Sequence, residues 1–143
     1  MTNLQTLDRL VGSWQISGGA EGTVTYEWME GGHFLIQRVH LSQNGQEVKG
    51  IEMIGHLKPF GESKSPDIRS RYYDTLGNTF DYVYELEGDS LVIWAGDKGS
   101  LNYYKGTFRS DGNSHSGAWH YSGEGGYEST MTRFSPAGGI GIG

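Results

Sequence analysis

The sequence predicts an all-β chain: a single ten-stranded antiparallel up-and-down β-barrel with a short N-terminal helix. Three observations lead there. From Ser13 onward, apolar and polar residues alternate with a period of two, the repeat of a strand with one dry and one wet face. The alternating runs are separated by tight-turn pairs: Gly31-Gly32, Asn44-Gly45, Gly77-Asn78, Gly88-Asp89, Asp111-Gly112 and Gly125-Gly126. Short turns make consecutive strands antiparallel neighbours. A sheet of ten twisted strands then curls and closes, which also removes its exposed edges.

The elements follow in order. Thr2-Asn3-Leu4-Gln5 fits a capping box, and Leu4, Leu7, Leu10 and Val11 recur at helical spacing, so 2–11 is the helix. A helix this short is unstable alone. It is expected to lie across a barrel opening as a lid or plug. Strands are expected over 13–18, 22–29, 33–42, 47–57, 68–74, 79–86, 90–96, 100–109, 114–122 and 126–134. The one longer connection, Leu57 to Asp67, holds Pro59, Gly61 and Pro66 and reads as a mobile loop. The barrel domain is 1–135. The Gly-rich tail, 136–143, reads as a flexible end.

Turn placement predicts register. A two-residue turn at Asn44-Gly45 sets Leu41 opposite Val48, Val39 opposite Gly50, Gln37 opposite Glu52, Leu35 opposite Ile54 and His33 opposite His56. A turn at Gly31-Gly32 sets Val24 opposite Val39, Tyr26 opposite Gln37 and Trp28 opposite Leu35. The two registers share one mostly apolar surface, the expected interior, because a barrel core tolerates few charges. Gly88-Asp89 pairs Leu86 with Leu91, Tyr84 with Ile93 and Tyr82 with Ala95. Asp111-Gly112 pairs Tyr104 with Trp119 and Tyr103 with His120, and either pair could face inward.

Composition narrows the function. The chain has 143 residues, 24 Gly, 13% aromatics and a net charge of −6, which suits one aromatic-rich domain. An acidic chain without a Lys/Arg run points away from nucleic acid and from anionic membrane. The absence of cysteine excludes disulfides, thiolate metal sites and thiol nucleophiles. The N-terminus lacks the basic start and apolar stretch of a signal peptide, and no run could span a bilayer as a helix, so a cytoplasmic protein is expected. A homodimer stays open.

Two groups of residues carry candidate chemistry. Tyr26, Gln37 and Glu52 form a polar row across three neighbouring strands inside the predicted interior. A buried carboxylate is costly unless hydrogen-bonded or protonated. The row is therefore a satisfied structural network, a polar anchor for a ligand, or an acid/base centre built on Glu52 with Tyr26 as hydrogen-bond donor. Trp28, Leu35, Ile54, Tyr82 and Tyr84 are the expected pocket walls. The leading expectation is a binder of a small hydrophobic or aromatic molecule, and the alternative is a cofactor-free isomerase or cyclase. In the second group, His33 and His56 with Glu30 nearby offer a metal site, against the plainer reading of two rim histidines. No cofactor is expected, though haem or metal binding through His33, His56 or His120 is a third possibility.

The chain also resembles the calycin superfamily of lipocalin, fatty-acid-binding and nitrobindin-like barrels. The resemblance rests on Gly12-Ser13-Trp14 after a short helix and on Arg133 in the last strand. Supporting stretches run from Glu27 to Arg38, Gly50 to Gly55, Tyr73 to Asn78 and Gly117 to Trp119, closest to an uncharacterised bacterial calycin-like family. The resemblance implies that Arg133 packs across Trp14 and closes one end of the barrel. Nitrobindin-like barrels bind haem through a histidine shortly before that arginine. Here Gly125-Gly126-Tyr127-Glu128-Ser129-Thr130 holds none.

Overall fold

The computed structural model describes residues 3–123 and 125–134. Thr2 of the expected capping box and the 136–143 tail lie outside the described residues. A short N-terminal helix, Leu4–Leu10, precedes ten strands: β1 Gly12–Gly18, β2 Glu21–Trp28, β3 Phe34–Gln43, β4 Gln46–Gly55, β5 Ile68–Asp74, β6 Thr79–Glu87, β7 Ser90–Ala95, β8 Tyr103–Phe108, β9 Ser114–His120 and β10 Gly126–Arg133. Each strand pairs antiparallel with the next, and β1 pairs with β10, closing the barrel.

Turn chemistry sets the register throughout. Leu41 faces Val48, Gln37 faces Glu52 and Leu35 faces Ile54 across β3 and β4. Tyr26 faces Gln37 and Trp28 faces Leu35 across β2 and β3. Tyr84 faces Ile93, and Tyr104 faces Trp119. The question left open at β8 and β9 is answered by burial. Tyr104, Phe108 and His115 are buried inside, whereas Tyr103 stacks on exposed His120 outside, with ring centroids 4.8 Å apart.

The predicted pairing of His33 with His56 does not form. Strand pairing stops at Phe34 and Gly55. Gly31 and Gly32 take φ of 100° and 74°, and Gly32 N–H donates to the Met29 carbonyl at 2.9 Å. The turn is therefore wider than two residues, and His33 belongs to it rather than to β3.

The helix is of the 3₁₀ type, and its sequence explains why. Leu4, Leu7 and Leu10 recur every three residues, so at three residues per turn they fall on a single line. All three are buried in the core beside Trp14, Leu35, Ile54 and Phe108. Burial of each leucine contributes about 1.5–3 kcal/mol. The helix cap is Asn3, whose side chain accepts from Gln5 N–H at 2.9 Å. Three further contacts hold the helix across the barrel end. Trp28 Nε1 donates to Asp8 at 2.8 Å, Arg9 donates to the Gly88 carbonyl at 3.0 Å, and Arg9 pairs with Asp89 at 2.9 Å. One end of the barrel is thus solidly plugged.

Arg133 ties that plug to the closing strand pair. Its guanidinium lies 4.1 Å over the Trp14 ring, and Trp14 and Arg133 are direct cross-strand partners. It donates to the carbonyls of Val11 at 2.7 Å, Arg9 at 2.9 Å and Gly112 at 3.2 Å. Trp14 Nε1 donates to the Leu10 carbonyl at 2.8 Å. Gly12 makes room: a Cβ there would sit 2.7 Å from Arg133 Nη1, and its φ of 124° suits glycine alone.

Candidate functional site

The opposite end of the barrel is built differently. Its inward-facing rings form a continuous chain: Tyr72 stacks on Phe80 with centroids 5.7 Å apart, Phe80 meets Tyr82 at 6.2 Å, and Tyr82 meets Trp119 at 5.8 Å. Trp119 then touches Tyr104 at 5.4 Å and Tyr121 at 6.4 Å. Exposure rises along this chain from the core outward. Tyr104 is buried, Tyr82 and Trp119 are half-buried, and Phe80 and Tyr121 are exposed at the rim. Rings facing inward yet reached by solvent mark an open mouth. Backbone spacing accommodates them. A Cβ on Gly50 would lie 2.4 Å from the Tyr72 ring, so glycine lets that ring rest against β4.

Below the mouth lies the polar row. Tyr26, Gln37, Glu52 and Tyr72 are successive cross-strand partners on β2, β3, β4 and β5. Gln37 Nε2 donates to the Tyr26 hydroxyl at 3.1 Å. The Glu52 carboxylate, 3% exposed, accepts instead from Tyr84 of β6, at 2.6 Å. The Ser70 hydroxyl is buried and lies outside good hydrogen-bond geometry. Burial pushes the Glu52 carboxyl above its ordinary range, and the Ser70 and Tyr84 hydroxyls draw it only partly back. Burial, together with the Glu52 charge, likewise holds the phenols of Tyr26, Tyr82 and Tyr84 above theirs. Gln37 and Tyr72 are half-buried, whereas Tyr26 and Glu52 beside them are buried.

The sequence-predicted walls divide between the two ends. Tyr82 belongs to the mouth. Tyr26 and Tyr84 form the boundary between polar row and core. Leu35 and Ile54 are fully buried under the helix, and Trp28 packs beside them while bonded to Asp8. These three form the floor of the barrel.

His115 is a polar interior residue that sequence reasoning passed over. Its Nδ1 shares a 3.1 Å hydrogen bond with the Tyr104 hydroxyl, while its Nε2 is buried without a partner. Burial lowers its pKa to about 4, so it is neutral at ordinary pH. Gly106 and Gly117, cross-strand partners, provide the niche for the Tyr104 hydroxyl, 2.7 Å from where either Cβ would be. The signal was available, since Lys105 shares a face with Tyr103 and so directs Tyr104, Phe108 and His115 inward.

His33 and His56 lie outside the barrel, along a surface cleft between the helix and the 56–66 loop that Lys58 and Lys64 also line. His56 Nδ1 bonds to the Ser65 carbonyl at 2.8 Å. Glu30 does not line that cleft. Among the described residues no group of three His, Cys, Asp or Glu side chains could hold a metal ion.

No protein-family model matches this chain, and no curated protein matches it. Among solved structures it is similar to a de novo designed fluorescence-activating β-barrel, at 14% identity and a TM-score of 0.49, covering 94% of this chain and 100% of that one. At that level the likeness says nothing of what this chain does. No helix among the described residues is long and apolar enough to cross a membrane.

Proposed function

We propose that this protein reversibly binds a small hydrophobic or aromatic molecule, taken in through the aromatic mouth. One observation carries the reading: the rings from Tyr72 to Trp119 face inward and remain accessible, while the far end is sealed by the helix. A ring-lined opening gives apolar surface for a flat ligand, and a few polar groups below it give orientation. Gln37, Tyr26 and Glu52 are those groups. Trp28, Leu35 and Ile54 serve as the floor the ligand does not displace.

We further read the chain as a calycin-like barrel of the cytoplasm. The helix before Gly12-Ser13-Trp14 and the Arg133 guanidinium over the Trp14 ring support the first part. Trp14 and Arg133 then close the scaffold and take no part in binding. The second functional reading is acid/base catalysis at Glu52. The raised Glu52 carboxyl inside the barrel favours it. In that case Tyr84 replaces Tyr26 as the residue that holds the carboxylate.

Native mass spectrometry of protein purified from its own cells tests binding directly. The native protein should show a mass above the denatured chain, with the excess released on unfolding. Unliganded protein that also fails to bind 1-naphthylmethanol saturably would overturn the reading. Glu52→Gln separates the two readings: affinity for that neutral probe should stay within about tenfold, whereas an acid/base enzyme loses roughly 10² or more in rate.

A further inference from the structure

Glu52 is a carboxylate without a cation. It is 3% exposed, and among the described residues it forms no ion pair. The inward-facing positions of the strands explain why. By register, Arg133 is the one inward-facing Lys or Arg among the described strand residues, and it is engaged at the plugged end by Val11, Arg9 and Gly112. The other inward-facing acid, Asp74, lies at the mouth, where it caps its own turn by accepting from Leu76 and Asn78 N–H. Glu52 accepts from the Tyr84 hydroxyl, the Ser70 hydroxyl lies beside it in poorer geometry, and a carboxylate has acceptor capacity beyond these two.

What surrounds Glu52 is aromatic. Tyr72 is its cross-strand partner, and the Tyr72 ring begins the chain that runs through Phe80 and Tyr82 to Trp119. Ring faces attract cations, most strongly when desolvated. A buried carboxylate that lacks a counter-charge, set among four tyrosines and beside half-buried Gln37, is chemically matched to an organic cation.

Resting on the binding reading above, we propose that the barrel selects small aromatic amines over neutral and anionic molecules of the same shape, and holds the ammonium group between Glu52 and the rings of the mouth. The ligand supplies the missing counter-charge. Its own aromatic body occupies the mouth, and the ammonium reaches the free acceptor sites of Glu52. An anionic ligand meets repulsion there, and a neutral one gains only apolar contact. Binding draws Glu52 into its ionised form. The other titratable groups facing Glu52 are the phenols of Tyr26 on β2, Tyr72 on β5, and Tyr82 and Tyr84 on β6, all raised above their usual range. His115, on β9, is neutral above about 4. Glu52, whose carboxyl pKa is raised by burial, is therefore the interior group that responds to a cation.

The test compares 1-naphthylmethylamine, 1-naphthylmethanol and 1-naphthoate by calorimetric titration of the full chain. The amine is expected to bind at least tenfold more tightly than the alcohol, with the carboxylate weakest. Glu52→Gln should bring amine and alcohol to within about threefold of each other without weakening the alcohol. Because that variant changes a buried group, wild-type protein gives an independent readout. Amine affinity should rise with pH as Glu52 ionises, while alcohol affinity stays flat. Alcohol binding as tight as amine binding, or pH profiles flat for both, overturns cation selection and leaves the binding reading standing. Failure of all three probes to bind overturns both.

Discussion

Removing the Arg133 guanidinium should unlatch the plugged end of the barrel. In Arg133→Ala three carbonyls lose a charged donor, and the Trp14 ring loses its cation at 4.1 Å. Hydrogen bonds from charged donors contribute about 1.5–3 kcal/mol each. Arg133 is only half-buried, so the low end of that range applies, and water can replace it at Gly112, where the bond is longest at 3.2 Å. Two bonds at about 1.5 kcal/mol and roughly 0.5–1 kcal/mol for the ring contact sum to about 3.5–4 kcal/mol. For a chain of this size that corresponds to a midpoint roughly 10 °C lower. Urea denaturation followed by circular dichroism measures it without relying on Trp14 fluorescence. Arg133→Lys keeps the charge but loses the planar fork, so it should retain less than half of the stabilisation. A loss below about 1 kcal/mol in Arg133→Ala, with folding intact, would refute the latch.

Three further outcomes follow from the interior. His115 is held neutral with a pKa near 4, against 6.5 unfolded, so folding binds fewer protons there. Its stability contribution is complete above 6.5 and falls by up to roughly 3 kcal/mol as pH drops through 4, and His115→Phe should remove that slope in urea titrations at stepped pH. Glu52 has the opposite sign: its raised carboxyl favours the folded state at low pH, and stability declines as pH climbs from 4.5 through the folded value. Glu52→Gln should therefore be more stable than wild type at pH 8 and lose that advantage by pH 4. Gly117→Ala places a Cβ 2.3 Å from the Lys105 carbonyl oxygen and 2.5 Å from Gly106 Cα, both backbone. It should cost upward of about 2 kcal/mol by the same assay, and a neutral result would show that β8 and β9 do not approach as described.

Much of the barrel was readable from its turns. Asn44-Gly45 alone set β3 against β4, because a two-residue hairpin fixes every partner that follows, and the Gln37 and Glu52 neighbours came with it. The Gly12, Trp14 and Arg133 group is physically coherent: glycine leaves the space, tryptophan offers the ring and arginine fills both. Three features were less visible. His33 was misplaced because two adjacent glycines permit a wider turn as readily as a tight one. The donor to Glu52 was taken to lie on the neighbouring strands, but Tyr84 reaches it from β6, beyond β5, and only the closed curvature of the barrel brings them together. The division between floor and mouth was hidden because alternation tells inside from outside and says nothing of depth. Depth depends on where the helix docks, and that follows from the Leu4, Leu7 and Leu10 line meeting one end of the barrel.

The central claim is that a ligand enters among the inward-facing rings. Nuclear Overhauser contacts between bound 1-naphthylmethanol and the protein's aromatic protons test it most directly. Contacts are expected to Tyr72, Tyr82 and Trp119. Contacts confined to the outward-facing Trp94 and Tyr103 rings, with none from the mouth, would contradict it.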